Sequence, residues 1–364
     1  MDKIKKIILI AVPTTICNLK CRYCYLAQRD SSFTGEQAQL QFTPSEVAKA
    51  LSKERIGGPA FINICADGET LLTKNIEEYI YLLAKEGHYV EIVTNLTVTP
   101  IINKILSWEK DVLEHITFKC SFHYLQLKER NWLDRFANNV QNIWKAGASA
   151  NIEVTPDDEL IPYIDELKDF SMKNFGALPQ LTIARDDNDG HNYLTKLSIE
   201  EYDKTWSQFN SNFWLFKKTI FNVNRKEFCY AGQWSMYVDL ASGRTTQCYQ
   251  TNEITNVFKN IHEPIKIGPI CKCVDTHCYN GHALLTLGLI PGLTNVGYGD
   301  IRDREREDGT HWIRPQMKEF LNTKLVESNE EYTKQRKRQL ILKNYVKYSK
   351  RYIGKELRKL HIIK

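Results

Sequence analysis

The chain of 364 residues holds ten cysteines, and eight of them fall into two groups. Cys17, Cys21 and Cys24 form a Cys-x3-Cys-x2-Cys loop directly after a short apolar run. Three thiolates on one short loop can converge on a single inorganic cluster. A structural zinc would instead close a four-ligand shell, and the next cysteine, Cys65, lies on a different predicted strand. Three protein ligands leave one position on the metal centre open for a small molecule. The second group is Cys229, Cys248, Cys271, Cys273 and Cys278, while Cys65 and Cys120 stand alone.

Disulfide frameworks belong chiefly to small secreted domains, so these cysteines read as reduced metal ligands. The N-terminal run IILIAV is shorter than the roughly 7–15 apolar residues of a signal peptide, and no A-x-A-like site follows. It reads as a buried first strand, and the expected location is cytoplasmic. No apolar stretch approaches the roughly 18 residues of a membrane span. With 42% hydrophobic and 26% charged residues, the composition is that of a folded globular protein rather than a disordered chain.

The elements that must position these residues follow a βα rhythm over the first 185 residues. KIILIAV, FINIC, YVEIVTN, ITFKCSFH, ASANIEVT and QLTIARD read as six strands. Thr43 with Glu46 forms a capping box that opens a helix, and further helices are expected at 75–86, 132–146 and 161–174. The fold class expected is α/β, a partial (β/α)6 TIM-like barrel, with a small cysteine-rich C-terminal α+β domain. Right-handed crossovers would gather the strand C-termini on one face, where such folds hold their chemistry. The expected divisions are a barrel over 1–190, an iron–sulfur module over 191–300 and a basic, mostly helical extension over 301–364. The first boundary is placed only within 187–225.

The three-cysteine loop, with the aromatic Tyr23 before its last cysteine, resembles the signature of the radical S-adenosylmethionine superfamily. The resemblance implies a [4Fe–4S] cluster held by Cys17, Cys21 and Cys24. Its open iron would chelate S-adenosylmethionine, and one-electron cleavage would release a 5′-deoxyadenosyl radical that takes hydrogen from a substrate. An electron donor such as flavodoxin or ferredoxin is implied. The stretch Cys65-Ala66-Asp67-Gly68-Glu69 is similar to the family's glycine-glycine-glutamate segment, although Asp67 replaces the first glycine. Gly68 and Glu69 would then meet the amino group of the cofactor. Thr94-Asn95 is similar to the family's third strand end, with Leu96 where glycine is customary. Ser121, His123, Glu153 and Arg185 lie at the ends of later strands and are candidates for cofactor or substrate contact.

The spacing of Cys229, Gly243 and Cys248 resembles the C-terminal extension that carries auxiliary clusters in many radical enzymes, in its short twitch form or its longer SPASM form. No cysteine follows Cys278, so one auxiliary [4Fe–4S] cluster is expected, with zinc as the alternative. The favoured ligands are Cys229, Cys248, Cys273 and Cys278, with Cys271 as the spare. Cys65 and Cys120 lie near strand ends, and either thiol is a candidate hydrogen donor in a radical epimerisation. The alternative for both is a small buried core residue.

Three function classes follow. The first is radical oxidation or epimerisation of a carbohydrate or lipid-linked glycan. HCYNGHALLTLGLIP is similar to radical proteins of bacterial surface-polysaccharide neighbourhoods, which inclines the reading to sugars. The second is radical modification of a ribosomally made peptide. It ranks lower because the cluster loop begins at residue 17, which leaves no room before it for a leader-binding domain. The third is a non-catalytic metal-binding interaction protein. Residues 331–364 hold twelve Lys or Arg and two Glu, a local charge of +10 against −5 for the remainder. That segment is either a solvated helix face or a contact for an anionic membrane surface.

Overall fold

The alternation within KIILIAV shows how the sheet divides its two faces. In β1 (Lys6–Val12), Ile8, Ile10 and Val12 point into the core beneath the helices, whereas Ile7, Leu9 and Ala11 point the other way. The structure, a computed structural model, describes residues 2–28, 33–189, 192–252, 254–273, 277–278 and 281–345. Within these, β2 (Ala60–Ala66), β3 (Tyr89–Thr94), β4 (Ile116–Ser121), β5 (Ser149–Val154) and β6 (Gln180–Leu181) follow β1 in order, all parallel. Helices between them cover the outer face, including Pro44–Ala50, Ile76–Lys85, Leu133–Ala146 and Ile164–Phe175. The Thr43–Glu46 capping box forms as expected: Thr43 Oγ1 accepts from Glu46 N–H, and Glu46 accepts from Thr43 N–H at 2.7 Å.

The sixth expected strand is shorter than its sequence implies. Only Gln180–Leu181 stays in the sheet. Arg185–Asp186, β7, leaves it to pair antiparallel with β8 (Asn192–Tyr193). The Asp186 carboxylate accepts from the N–H groups of Asn188 and Asp189, so the acidic loop folds back on itself rather than extending β6.

Three further strands, β9 (Ser235–Asp239), β10 (Arg244–Thr246) and β11 (Thr255–Asn256), join the sheet. Among the described residues it is open and nine-stranded, in the order β11-β10-β9-β1-β2-β3-β4-β5-β6, with no closed barrel. The cysteine-rich C-terminal part enters it directly. β9 (Ser235–Asp239) lies parallel to β1, with Ile7 beside Ser235 and Ala11 beside Asp239. The antiparallel β10 (Arg244–Thr246) and β11 (Thr255–Asn256) follow, and Gly243 makes the β9–β10 turn with φ +72°.

The concave face is layered. At the strand starts Ile7, Phe61 and Tyr89 pack on Phe213, Tyr298, Ile313, Met317 and Phe320, so the helices Asn212–Ile220, Tyr298–Arg302 and Pro315–Asn322 plug that end. Above the plug lie Asn63, Glu91, Lys119 and Asn151, and the strand C-termini open above them. Residues 334–345 are helical and dock through Asn344, whose amide donates to the carbonyls of Pro269 (3.1 Å) and Ile270 (3.0 Å). The rest of the basic segment, from 346 onward, lies outside the described residues. No helix among the described residues is long and apolar enough to cross a membrane.

Candidate active site

Gly68 shows how tightly the N-terminal loop is held to the sheet. Beyond β1 and β2 the two chains stay paired: Asp67, Gly68 and Glu69 donate their N–H groups to the carbonyls of Val12, Thr14 and Ile16. A Cβ at residue 68 would fall 2.2 Å from the Ile16 carbonyl oxygen, so only glycine permits this approach. Asp67, one residue earlier, does not take a left-handed backbone and needs no such freedom. Its side chain and carbonyl accept from the hydroxyl of Tyr25, at the start of the short helix Tyr25–Gln28 behind Cys24.

This pairing delivers Cys17, Cys21 and Cys24 to one cavity of about 400 Å³. Tyr23, Cys65, Gly68, Glu69, Asn95, Ser121, His123, Glu153 and Arg185 line the same cavity. Burial, with the neighbouring Cys24 adding to it, pushes the Cys17 thiol up to about 11 and the Cys21 thiol up to about 12. Among the described residues no group of three or more His, Cys, Asp or Glu is arranged to hold a metal ion as it stands. The donor set does fit a cluster: three thiols on one loop, facing one cavity, with ionisable protons that a bound iron would displace.

Glu69 is 2% exposed and fully engaged. Oε1 accepts from Leu71 N–H at 3.0 Å and Thr94 O–H at 2.6 Å, and Oε2 accepts from Asn95 N–H at 2.7 Å. It therefore clamps the ends of β2 and β3 together, although burial raises its pKa. Leu96 takes the left-handed conformation that glycine would favour, with φ +57°. The Tyr23 hydroxyl and His123 Nδ1 share a hydrogen bond of 2.6 Å. Burial holds that histidine down at about 4, hence neutral, and it ties the cysteine loop to the end of β4. Arg185 donates through Nε to Asp187 at 2.7 Å.

Cys65 and Cys120, alike in the sequence, separate in the structure. Cys65 lines the cavity. Cys120 sits on the other face of β4 from Lys119 and Ser121, 0% exposed in the outer core, with Sγ 3.6 Å from the Phe118 carbonyl. The two-residue period of the strand turns its thiol away from the cavity, so the expectation that it faces the chemistry is corrected.

Three residues of the site escaped sequence reading. Arg302, 0% exposed, comes from the C-terminal helix Tyr298–Arg302 and donates to Glu153 and Asn151. Lys119 lies 3.5 Å from the other Glu153 oxygen. Burial alone would raise the Glu153 pKa, but Lys119 and Arg302 outweigh it and hold the carboxyl at about 2. Lys217 also lines the cavity, and burial lowers it to about 7. Lys119 was findable, because it shares the inward period of Ser121. Arg302 carried no signal, because its contact with Glu153 spans 149 residues.

A second cavity, about 100 Å³, is lined by Cys229, Cys248, Cys273 and Cys278 together with His277. Burial pushes Cys229 up to about 12 and Cys248 up to about 11, with Cys273 and Cys278 adjoining both. Cys271 is apart from them. Its backbone pairs with that of Cys229, while its thiol turns to Asn344 Nδ2 at 3.1 Å.

Comparison with known proteins completes the picture. No curated protein sequence matches the chain. Among solved structures, Streptococcus suis SuiB bound to S-adenosylmethionine is similar at 15% identity and TM-score 0.49, covering 71% of this chain; the chain spans 65% of SuiB's length. A structure titled native anSMEcpe with bound AdoMet and Cp18Cys peptide gives 12% identity, TM-score 0.45, and 70% and 78% coverage of the two chains. BtrN in complex with AdoMet and 2-DOIA gives 15% identity, TM-score 0.37, and 72% and 82% coverage. The sequence model described as the Radical SAM superfamily matches residues 11–116, the span that holds the cysteine loop, Gly68, Glu69 and Asn95. Residues 11–116 are thus similar to the Radical SAM superfamily, and the three thiols of the cysteine loop fall within that span.

Proposed function

We propose that the chain is a radical S-adenosylmethionine enzyme that oxidises or epimerises a carbon of a carbohydrate or lipid-linked glycan intermediate. The observation that carries this reading is the convergence of Cys17, Cys21 and Cys24 with Gly68, Glu69 and Asn95 on one cavity. The three thiols would hold a [4Fe–4S] cluster, and Cys229, Cys248, Cys273 and Cys278 an auxiliary one. When bound and reduced, the first would supply one-electron cleavage of S-adenosylmethionine, and the second would supply single-electron exchange. The protein's own work is positioning. The Glu69 clamp fixes two strand ends, and the Tyr23–His123 bond fixes the loop. Lys119, Ser121, Glu153, Thr155 and Thr182 line the cavity with hydroxyl, ammonium and carboxylate groups suited to a polyhydroxy substrate.

Cys65 is the hydrogen-donor candidate that remains on the cavity wall. Burial pushes its thiol up to about 12, so it carries the S–H that hydrogen-atom donation needs. In deuterated water, an epimerised product would then acquire solvent deuterium, and Cys65→Ala would abolish the incorporation. The basic segment 331–364 is proposed to meet an anionic lipid surface, which would make vesicle binding salt-sensitive and dependent on that segment. The deciding assay for the main reading is 5′-deoxyadenosine release after anaerobic reconstitution and reduction. Wild type should release it and the Cys17/Cys21/Cys24→Ala triple variant should not. No release from iron-loaded wild type would overturn the reading.

A further inference from the structure

Asn95 and Thr97, just past β3, form a closed ring with Asn18 of the cysteine loop. Thr97 Oγ1 donates to Asn95 Oδ1 at 2.7 Å, Asn95 Nδ2 donates to Asn18 Oδ1 at 2.8 Å, and Asn18 Nδ2 donates to Thr97 Oγ1 at 2.7 Å. The Thr97 backbone N–H also donates to Asn95 Oδ1, at 3.2 Å. That backbone donor has no alternative role, so the Asn95 amide is fixed with oxygen towards Thr97 and nitrogen towards the cysteine loop. Asn95 is 3% exposed, and its own N–H is held by Glu69 at 2.7 Å. One hydrogen of the amide nitrogen serves Asn18. The remaining N–H faces Cys17 Sγ, 3.9 Å from the nitrogen.

We propose that Asn95 is a positioning residue for the N-terminal cluster, donating its side-chain N–H to the Cys17 thiolate and thereby raising the cluster's reduction potential. This rests on the reading of Cys17, Cys21 and Cys24 as cluster ligands. The physical basis is charge. Reduction adds an electron to the cluster and its thiolates, and a donor aimed at a ligating sulfur stabilises the more negative state. The ring makes the donor rigid, so the N–H is aimed before the electron arrives. A raised potential makes the cluster easier for a donor protein to reduce. Thr97 and Asn18 contribute by orientation, and Glu69 by fixing the Asn95 backbone.

The test is an EPR-monitored redox titration of reconstituted full-length protein, wild type against Asn95→Ala, at matched iron content. The N-terminal cluster is identified as the one whose reduced signal changes when S-adenosylmethionine is added. The midpoint of that signal should move to lower potential in Asn95→Ala, and in the same direction but less in Thr97→Val, which frees the amide without removing it. Any second cluster signal should keep its midpoint in both. Protein carrying 15N-labelled asparagine should show a nitrogen coupling to the cluster in pulsed EPR that Asn95→Ala removes. An unchanged midpoint, or no asparagine coupling, would overturn the proposal. Absence of any signal that responds to S-adenosylmethionine would overturn the cluster reading itself.

Discussion

The two cysteine cavities differ in how the chain builds them. The N-terminal one is mostly local: Cys17, Cys21 and Cys24 occupy one loop, and the walls come chiefly from strand ends of the same βα repeat, with Lys217 added from the helix Asn212–Ile220. The C-terminal one is assembled from distant pieces. Cys229 precedes β9, Cys248 follows β10, and Cys273 and Cys278 come after a long irregular segment. The contrast teaches that a local site survives as a motif, whereas a dispersed one depends on the sheet. By running parallel to β1, β9 fixes both on a single framework.

The largest effect that separates them is on metal content. After reconstitution, about 8 irons per wild-type chain are expected, falling to about 4 when either the three N-terminal or the four C-terminal cysteines are replaced by alanine. Only the N-terminal replacement should abolish 5′-deoxyadenosine release from S-adenosylmethionine. About 4 irons in wild type, falling to none on N-terminal replacement, would put zinc or nothing in the second cavity. Cys271→Ser should leave iron unchanged where Cys273→Ser lowers it, because the Cys271 thiol turns to Asn344.

The next effect is on stability beneath the first cavity. Breaking the buried Glu153–Arg302 pair with Arg302→Met should cost roughly 3–5 kcal/mol in chemical denaturation. The pH dependence follows from the lowered Glu153 pKa. A carboxyl at about 2 when folded, against about 4.3 unfolded, contributes stability that is complete above the unfolded value. That contribution disappears as pH falls through about 2. Wild type should therefore lose more stability than Glu153→Gln between pH 4.5 and pH 2, and parallel acid limbs would refute the assignment.

Two backbone positions sharpen how the local site is made. Gly68→Ala should cost about 1–3 kcal/mol and lower retained iron, because the added Cβ meets the Ile16 carbonyl. At Leu96 the smallest effect is expected. Leu96→Gly and Leu96→Ala both remove the buried side chain, but glycine should be the more stable by about 1 kcal/mol, because it takes φ +57° without strain. Equal melting temperatures would show that the left-handed conformation is not strained.

The legible parts of this protein were those with short-range causes. The five full strands, the Thr43 capping box and the cysteine loop each follow from residues within a few positions of one another. β6 is shorter than QLTIARD implies because the Asp186 turn competes with the ladder, and composition alone does not weigh the two. Cys65 and Cys120 looked equivalent because alternation tells which residues share a face, not which face meets the cavity.

The sequence by itself determined which residues are available for chemistry at the first site, since the spacing of the three thiols, the Gly68-Glu69 pair and Asn95 can each be read from short stretches of chain. Only the tertiary structure decided that Arg302 neutralises Glu153, that Cys120 faces outward, and that Cys271 stands apart from the other four C-terminal cysteines. Each of these depends on contacts between residues tens to hundreds of positions apart. Such contacts are set by how the sheet, its C-terminal plug and the docked helix pack, and packing leaves no periodic mark in the sequence.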